Sequence, residues 1–186
     1  MKKIIKKKKK SAPSSADDQM MRDRELFLNS DVDNKSMLTL IKDIKFLNKK
    51  NHKPITLWIN SGGGSCSDGL ALINVMRMVK SPIITIVNFQ ACSMGSQISI
   101  AGDVRKIVDN GFLMFHDMYS GTVDYSGKIK YRAMWLEKLW LTLVDTCTTH
   151  TKLTEEDLEI ARHGELWLSA EEALAKGCVD EIIRIK

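Results

Sequence analysis

Apolar residues recur along the chain in two patterns, and the alternation of these patterns predicts a mixed fold of strands and helices. Short, continuous apolar runs between polar or Gly/Pro-containing segments are typical of buried strands. Such runs lie at Glu25–Leu28, Ile55–Ile59, Ile83–Val87, Leu113–His116 and Val179–Ile183. Helical spacing of apolar residues separates most of them, so we expect βαβ units around a largely parallel sheet.

The longest predicted helix runs from about Lys128 to His150. Its apolar stripe consists of Tyr131, Met134, Trp135, Leu139, Leu143 and Cys147. Two further helix starts are marked by capping-box spacing, at Thr154–Asp157 and at Ser169–Glu172. The pattern as a whole therefore predicts an α/β fold.

The N-terminal segment differs from the rest in composition. The first ten residues hold seven lysines, and a Ser/Ala/Pro stretch follows at residues 11–16. Without those lysines the formal charge of +5 becomes −2, which argues against a broad nucleic-acid-binding surface. We predict a flexible tail and linker over residues 1–24 and one domain over residues 25–186.

Composition also excludes several classes of protein. No apolar run approaches the ~18 residues that a membrane-spanning helix needs, and no apolar stretch of a secretory signal follows the N-terminal lysines. The four cysteines are widely spaced and include no CxxC pair. We therefore expect reduced thiols in a cytoplasmic protein that binds no metal, cofactor, membrane or nucleic acid.

Two of the predicted strands lead into turns of small residues that precede helices. The first turn, Asn60–Ser65, contains Gly64, and the second, Gln90–Ser96, contains Ser93 and Met94. A helix N-terminus presents unpaired N–H groups with positive dipole character. If the two strands are neighbours, backbone N–H groups from both turns can converge on the oxyanion of an acyl-transfer intermediate.

Ser93 is the candidate nucleophile, because its A-x-S-x-G setting is close to a nucleophile elbow. On local pattern alone a helix-capping role is about as good an interpretation. Of the four histidines, His116 is the best candidate base, since it ends an apolar strand, although a core histidine would fit there too. The acid that orients the imidazole could be Asp117, Asp157 or Glu165, and spacing does not choose among them.

Four segments together resemble the ClpP family, the proteolytic subunits of ATP-dependent Clp proteases. They are Ile59–Gly64, Gln90–Gly95, Met114–His116 and Leu168–Ala173, within a resemblance that covers Leu26 to Ile183. The resemblance implies a ClpP/crotonase-like fold, a repeated ββα spiral with a protruding handle helix. It also implies serine-type endopeptidase activity, which cuts unfolded polypeptides to short peptides. The cleavage would take place inside heptameric rings that stack as a tetradecamer. An AAA+ ATPase unfoldase such as ClpX or ClpA would be the partner.

By motif position the resemblance assigns Ser93 as nucleophile and His116 as base, with the N–H groups of Gly64 and Met94 as the oxyanion hole. Glu165 stands where the family has the aspartate of its triad, so we expect Glu165 to orient His116. The helix from about Lys128 to His150 corresponds to the handle.

The chain also departs from the family pattern. Gly62 replaces the usual proline of the first turn, and His163 and Gly164 replace an acidic–basic pair linked to ring contacts. The tail predicted for residues 1–24 would replace the family's axial loop and first helix. These departures keep open a non-catalytic or weakly active subunit that modulates assembly of a Clp protease. A crotonase-type acyl-CoA enzyme is a third interpretation.

Overall fold

The computed structural model describes residues 15–121 and 123–186, which form seven strands and seven helices. The strands are β1 (Glu25–Leu28), β2 (Ile55–Ser61), β3 (Ile83–Cys92), β4 (Val104–Val108), β5 (Phe112–Phe115), β6 (Leu166–Ser169) and β7 (Glu181–Ile183). The helices are α1 (Ala16–Asp23), α2 (Asn34–Lys50), α3 (Cys66–Met78), α4 (Met94–Ile100), α5 (Ser126–His150), α6 (Glu155–His163) and α7 (Ala170–Ala175).

All seven strands belong to one sheet, whose main path runs β1-β2-β3-β4-β7 and is parallel throughout. This confirms the predicted α/β fold with a largely parallel sheet. Strand β3 is the branch point, because its first half pairs with β4 and its last residues, Gln90–Cys92, pair with β5. Strand β5 in turn pairs antiparallel with β6. The carboxyl end of β3 therefore lies beside β5 and opens directly into α4.

Helix α5 packs on the domain only through its second half. Its buried residues are Trp140, Leu143, Thr146 and Cys147. Tyr131, Met134 and Trp135, from the predicted apolar stripe, are exposed on the first half. The stripe is therefore core at one end only, and the helix protrudes from the domain at the other.

The structure corrects part of the tail expected for residues 1–24, because residues 16–23 form α1. Ser15 begins this helix by accepting a hydrogen bond from the N–H of Asp18, and Arg24 ends it in the left-handed region at φ 65°. The Arg24 side chain is buried and donates to the carbonyls of Leu47 and Pro54. The segment before β1 is thus anchored to the domain, while the lysine-rich residues 1–14 lie outside the described residues.

Two strands were not predicted from the sequence. Strand β4 contains Arg105 and Lys106 and buries only Ile107 and Val108, so its apolar run is too short to register. Strand β6 directly precedes the capping box of α7, whose signal dominates that stretch. Within the described ranges, none of the helices is both long and apolar enough to span a bilayer.

Candidate active site

Ser93 occupies a strained turn between β3 and α4. Its backbone lies at φ 54° and ψ −121°, an uncommon conformation for a residue with a side chain. Its N–H donates to the carbonyl of Met114 in β5 at 2.7 Å, which fixes the turn against the neighbouring strand. The hydroxyl makes no capping hydrogen bond to α4, unlike that of Ser169 at the start of α7. Ser93 therefore does not cap α4 through its side chain.

Ser96 supports this turn from the buried side. Its side chain is fully buried, and its hydroxyl lies 2.6 Å from the carbonyl oxygen of Ser93 and 2.9 Å from that of Met114. The hydroxyl therefore ties α4, the Ser93 turn and β5 together. Sequence reasoning did not single out Ser96, because a serine in a short apolar helix gives no signal of the carbonyls that it will meet.

The turn after β2 lies against the Ser93 turn. Strands β2 and β3 pair up to Ser61 and Ala91, so both turns leave the same edge of the sheet. Gly63, at φ 96°, approaches so closely that a Cβ there would lie 2.6 Å from the carbonyl oxygen of Cys92 and 2.7 Å from Cβ of Ser93. Only glycine fits this contact.

Gly64 is held by Val32 on the other side of the turn. Val32 donates to the carbonyl of Gly63 and accepts from the N–H of Ser65, each at 2.7 Å. These bonds leave the N–H of Gly64 itself without a hydrogen-bond partner among residues 15–121 and 123–186. The N–H of Met94, the first residue of α4, likewise has none there. One of these donors, that of Met94, directly follows Ser93, and the other, that of Gly64, follows the Gly63 that packs against Ser93.

His116 and Glu165 lie just beyond paired strand ends. The antiparallel register of β5 and β6 matches Met114 with Trp167 and Phe115 with Leu166. Extended by one residue, this register sets His116, which follows β5, opposite Glu165, which precedes β6. His116 is half-buried and Glu165 is exposed.

The triad hydrogen bonds themselves are not formed in this structure. Among the described residues, none joins His116 to Ser93 or Glu165; the Glu165 carboxylate instead accepts from Nε1 of Trp167 at 2.8 Å. Trp167 is a residue that sequence reasoning missed, because its alternation with Leu166 and Leu168 indicates only an exposed strand position.

The other two candidate acids have partners of their own. The Asp157 carboxylate binds Nζ of Lys176 at 2.7 and 2.8 Å and closes a capping box with Thr154. Although burial opposes ionisation, these contacts hold the pKa of Asp157 below its ordinary value. The Asp117 carboxylate accepts from the N–H of Met118 at 2.6 Å. Asp157 is thus a structural residue, and Asp117 is tied to its own loop.

The thiols near the site are held in their protonated form. Burial, followed by the charge of Glu165, raises the pKa of Cys92, and burial followed by the charge of Asp117 raises the pKa of Cys66. A protonated thiol is a poor nucleophile, so Cys92 does not compete with the neighbouring Ser93. Across the described part of the chain, no three His, Cys, Asp or Glu side chains are grouped closely enough to hold a metal ion.

The chain is similar to known proteins over most of its length. The family model described as Clp protease matches residues 8–186. A curated relative from Deinococcus radiodurans, named ATP-dependent Clp protease proteolytic subunit, is 32% identical over 168 residues. That match covers 89% of this chain and 82% of the relative. The chain belongs to the Clp protease family.

Proposed function

We propose that this chain is a serine endopeptidase in which Ser93 is the nucleophile, His116 the base and Glu165 the residue that orients the imidazole. The observation that carries the proposal is the strained turn of Ser93, whose N–H is bonded to Met114, two residues before His116. The unpaired N–H groups of Gly64 and Met94 beside this turn supply the oxyanion hole.

The chemistry follows from these roles. His116 accepts the hydroxyl proton while Oγ of Ser93 bonds to the carbonyl carbon of the scissile peptide. The carbonyl electron pair moves to oxygen, and the resulting oxyanion accepts hydrogen bonds from Gly64 and Met94. When the intermediate collapses, the C–N bond breaks and His116 gives its proton to the leaving amine. Water, deprotonated by His116, then releases the acyl group from Ser93 by the same route.

We expect unfolded polypeptides as substrates and a chamber built from heptameric rings, stacked as a tetradecamer. The protruding half of α5, which exposes Tyr131, Met134 and Trp135, supports a role as the handle between rings. The Deinococcus radiodurans relative is named as a subunit of an ATP-dependent protease, which supports an ATPase unfoldase such as ClpX or ClpA as partner. The free cysteines are in keeping with a cytoplasmic location.

The test is Ser93→Ala, with Ser99→Ala in the following helix α4 as the matched control. Ser93→Ala should abolish cleavage of a fluorogenic peptide and labelling by an active-site-directed phosphonate, whereas Ser99→Ala should keep both. Native mass spectrometry of the same samples reports ring size and stacking. Unchanged cleavage by Ser93→Ala would refute the proposal.

A second candidate is a non-catalytic or weakly active subunit that modulates the assembly of a Clp protease. It is favoured by the missing hydrogen bonds from His116 to Ser93 and Glu165 within the described residues. The phosphonate separates the two candidates, since the absence of an adduct on Ser93 in an assembled oligomer would favour this one.

A further inference from the structure

Trp167 and Glu165 form a bonded pair on one face of β6. Side chains two residues apart in a strand point to the same face, whereas Leu166 and Leu168 between and after them are buried on the other. Nε1 of Trp167 donates to Oε2 of Glu165 at 2.8 Å. Trp167 is 49% exposed, so its indole is not held there by core packing alone. The proposed peptidase mechanism gives this tryptophan no role.

The strand register places this pair beside the candidate base. Trp167 lies opposite Met114 in the β5–β6 ladder, which ends at Phe115 and Leu166; extended by one residue, its register sets Glu165 opposite His116. Residues directly opposite in an antiparallel pair share a face of the sheet. The charge of Glu165 also reaches Cys92, next to Ser93, where it contributes to the raised pKa of that thiol. The indole, the carboxylate and the imidazole therefore lie on one face.

A glutamate in this place needs more restraint than an aspartate would. Its side chain has one more methylene and one more rotatable bond, and Glu165 is exposed to solvent. A hydrogen bond to an ionised carboxylate is about twice as strong as one between neutral groups. The bond from Trp167 uses Oε2, and within residues 15–121 and 123–186 no donor is bonded to Oε1 of Glu165.

We propose that Trp167 is a positioning residue, whose indole N–H holds Oε2 of Glu165 so that Oε1 can accept from Nδ1–H of His116. This inference rests on the proposed serine peptidase function. Trp167 touches neither substrate nor reacting atoms and acts only through Glu165. The longer carboxylate and the tryptophan two residues later work as a unit.

A double-mutant cycle tests this unit by peptide hydrolysis. Trp167→Phe removes the N–H and keeps an aromatic ring, so kcat should fall about 3- to 10-fold with KM unchanged. In a Glu165→Asp background the shorter carboxylate no longer reaches the indole, and Trp167→Phe should have no further effect on kcat. Trp58→Phe, in β2, is the matched control for loss of a tryptophan, because Nε1 of Trp58 has no hydrogen-bond partner among the described residues.

A second measurement does not depend on activity. The chain has four tryptophans, so protein labelled with 5-fluorotryptophan gives four fluorine NMR signals, and Trp167→Phe identifies one of them. Glu165→Ala, which removes the acceptor, should shift the Trp167 signal and leave the other three in place. This readout remains informative even if Ser93→Ala shows that the peptidase proposal is wrong.

The outcomes separate the two proposals. A responsive fluorine signal with an unchanged or increased kcat in Trp167→Phe would overturn the positioning role and leave the peptidase intact. If Trp167→Phe reduced kcat equally in the wild-type and Glu165→Asp backgrounds, the role would also be overturned, since the effect would not pass through the carboxylate. If Glu165→Ala left the Trp167 signal unchanged, the pair would not be bonded in solution, and the inference would be overturned directly.

Discussion

The N–H of Ser93 donates to the carbonyl of Met114 at 2.7 Å, and this bond joins the turn of the candidate nucleophile to the strand that ends before the candidate base. Met114 lies two residues before His116, so any shift of the Ser93 turn along β5 changes the position of the hydroxyl relative to the imidazole. Backbone pairing thereby constrains where the Ser93 turn lies relative to His116.

Ser96→Ala should weaken the contact between the Ser93 turn and β5 without breaking it. The variant loses the hydroxyl that lies between the carbonyls of Ser93 and Met114, but both carbonyls keep backbone donors. We expect the free energy of unfolding to fall by about 1 kcal/mol and kcat to fall roughly 3- to 10-fold, measured by urea unfolding and peptide hydrolysis.

Ser99→Ala serves as the control for Ser96→Ala. Ser99 is also buried in α4 and its hydroxyl donates to the carbonyl of Ser96, but it does not touch the Ser93 turn. It should cost similar stability and leave kcat unchanged. If both variants reduced kcat equally, the loss would come from a general disturbance of α4 and not from the lost contact between the Ser93 turn and β5.

Gly63→Ala should abolish activity, because the added Cβ would collide with the nucleophile turn. At φ 96° alanine is strained by roughly 1–3 kcal/mol, and relief of the 2.6 Å contact with the Cys92 carbonyl displaces Ser93. We expect the rate of peptide hydrolysis to fall at least about 100-fold, as for loss of an oxyanion donor.

Gly62→Ala is the neighbouring control for Gly63→Ala. A Cβ at Gly62 would meet nothing within 4 Å, so activity should stay within about twofold of the wild type. Retained activity in Gly63→Ala would mean that the two turns separate more easily than their close approach indicates.

The sequence alone predicted the parts of this fold and site that depend on local patterns. The continuous apolar runs located β2, β3 and β5, and the small residues around Ser93 identified its turn. Helix α1 was not predicted, because it buries no residue and its hydrophobic spacing therefore carries no signal. The pairing of β3 with both β4 and β5 was not predicted, because tertiary contacts decide which strands pair. The same holds for the bond between Trp167 and Glu165, which depends on the conformation of two exposed side chains.

Cys147 and Cys178 should resist thiol reagents in the native protein. Burial raises the pKa of Cys147 to about 11 and that of Cys178 to about 12, and the thiolate is the reactive form. Cys66 is only half-buried, so we expect it to react first near pH 8, although burial raises its pKa as well. Peptide mapping after timed alkylation gives the order, and Cys66→Ser should remove the first phase. Early modification of Cys147 or Cys178 would contradict this.

Asp157 should contribute stability that depends on pH in a defined direction. Burial opposes ionisation, but the bonds from Lys176 and Thr154 prevail and hold the pKa of Asp157 below the ordinary value of 3.8. A carboxyl whose pKa is lower in the folded than in the unfolded chain stabilises the fold above the unfolded value. That contribution is lost as the pH falls from 3.8 through the lower folded pKa.

Asp157→Asn keeps an acceptor for the Thr154 N–H and removes the charge that Lys176 binds. At pH 7 it should lower the free energy of unfolding by roughly 1–3 kcal/mol. The difference from the wild type should shrink as both proteins are unfolded in urea at successively lower pH, because the wild-type carboxyl becomes neutral too. Glu156→Gln, an exposed neighbour on α6, should change stability little at any pH. If the free energy of unfolding of Asp157→Asn stayed equally far below that of the wild type in acid, the shape of the Asp157 side chain and not its charge would account for its contribution to stability.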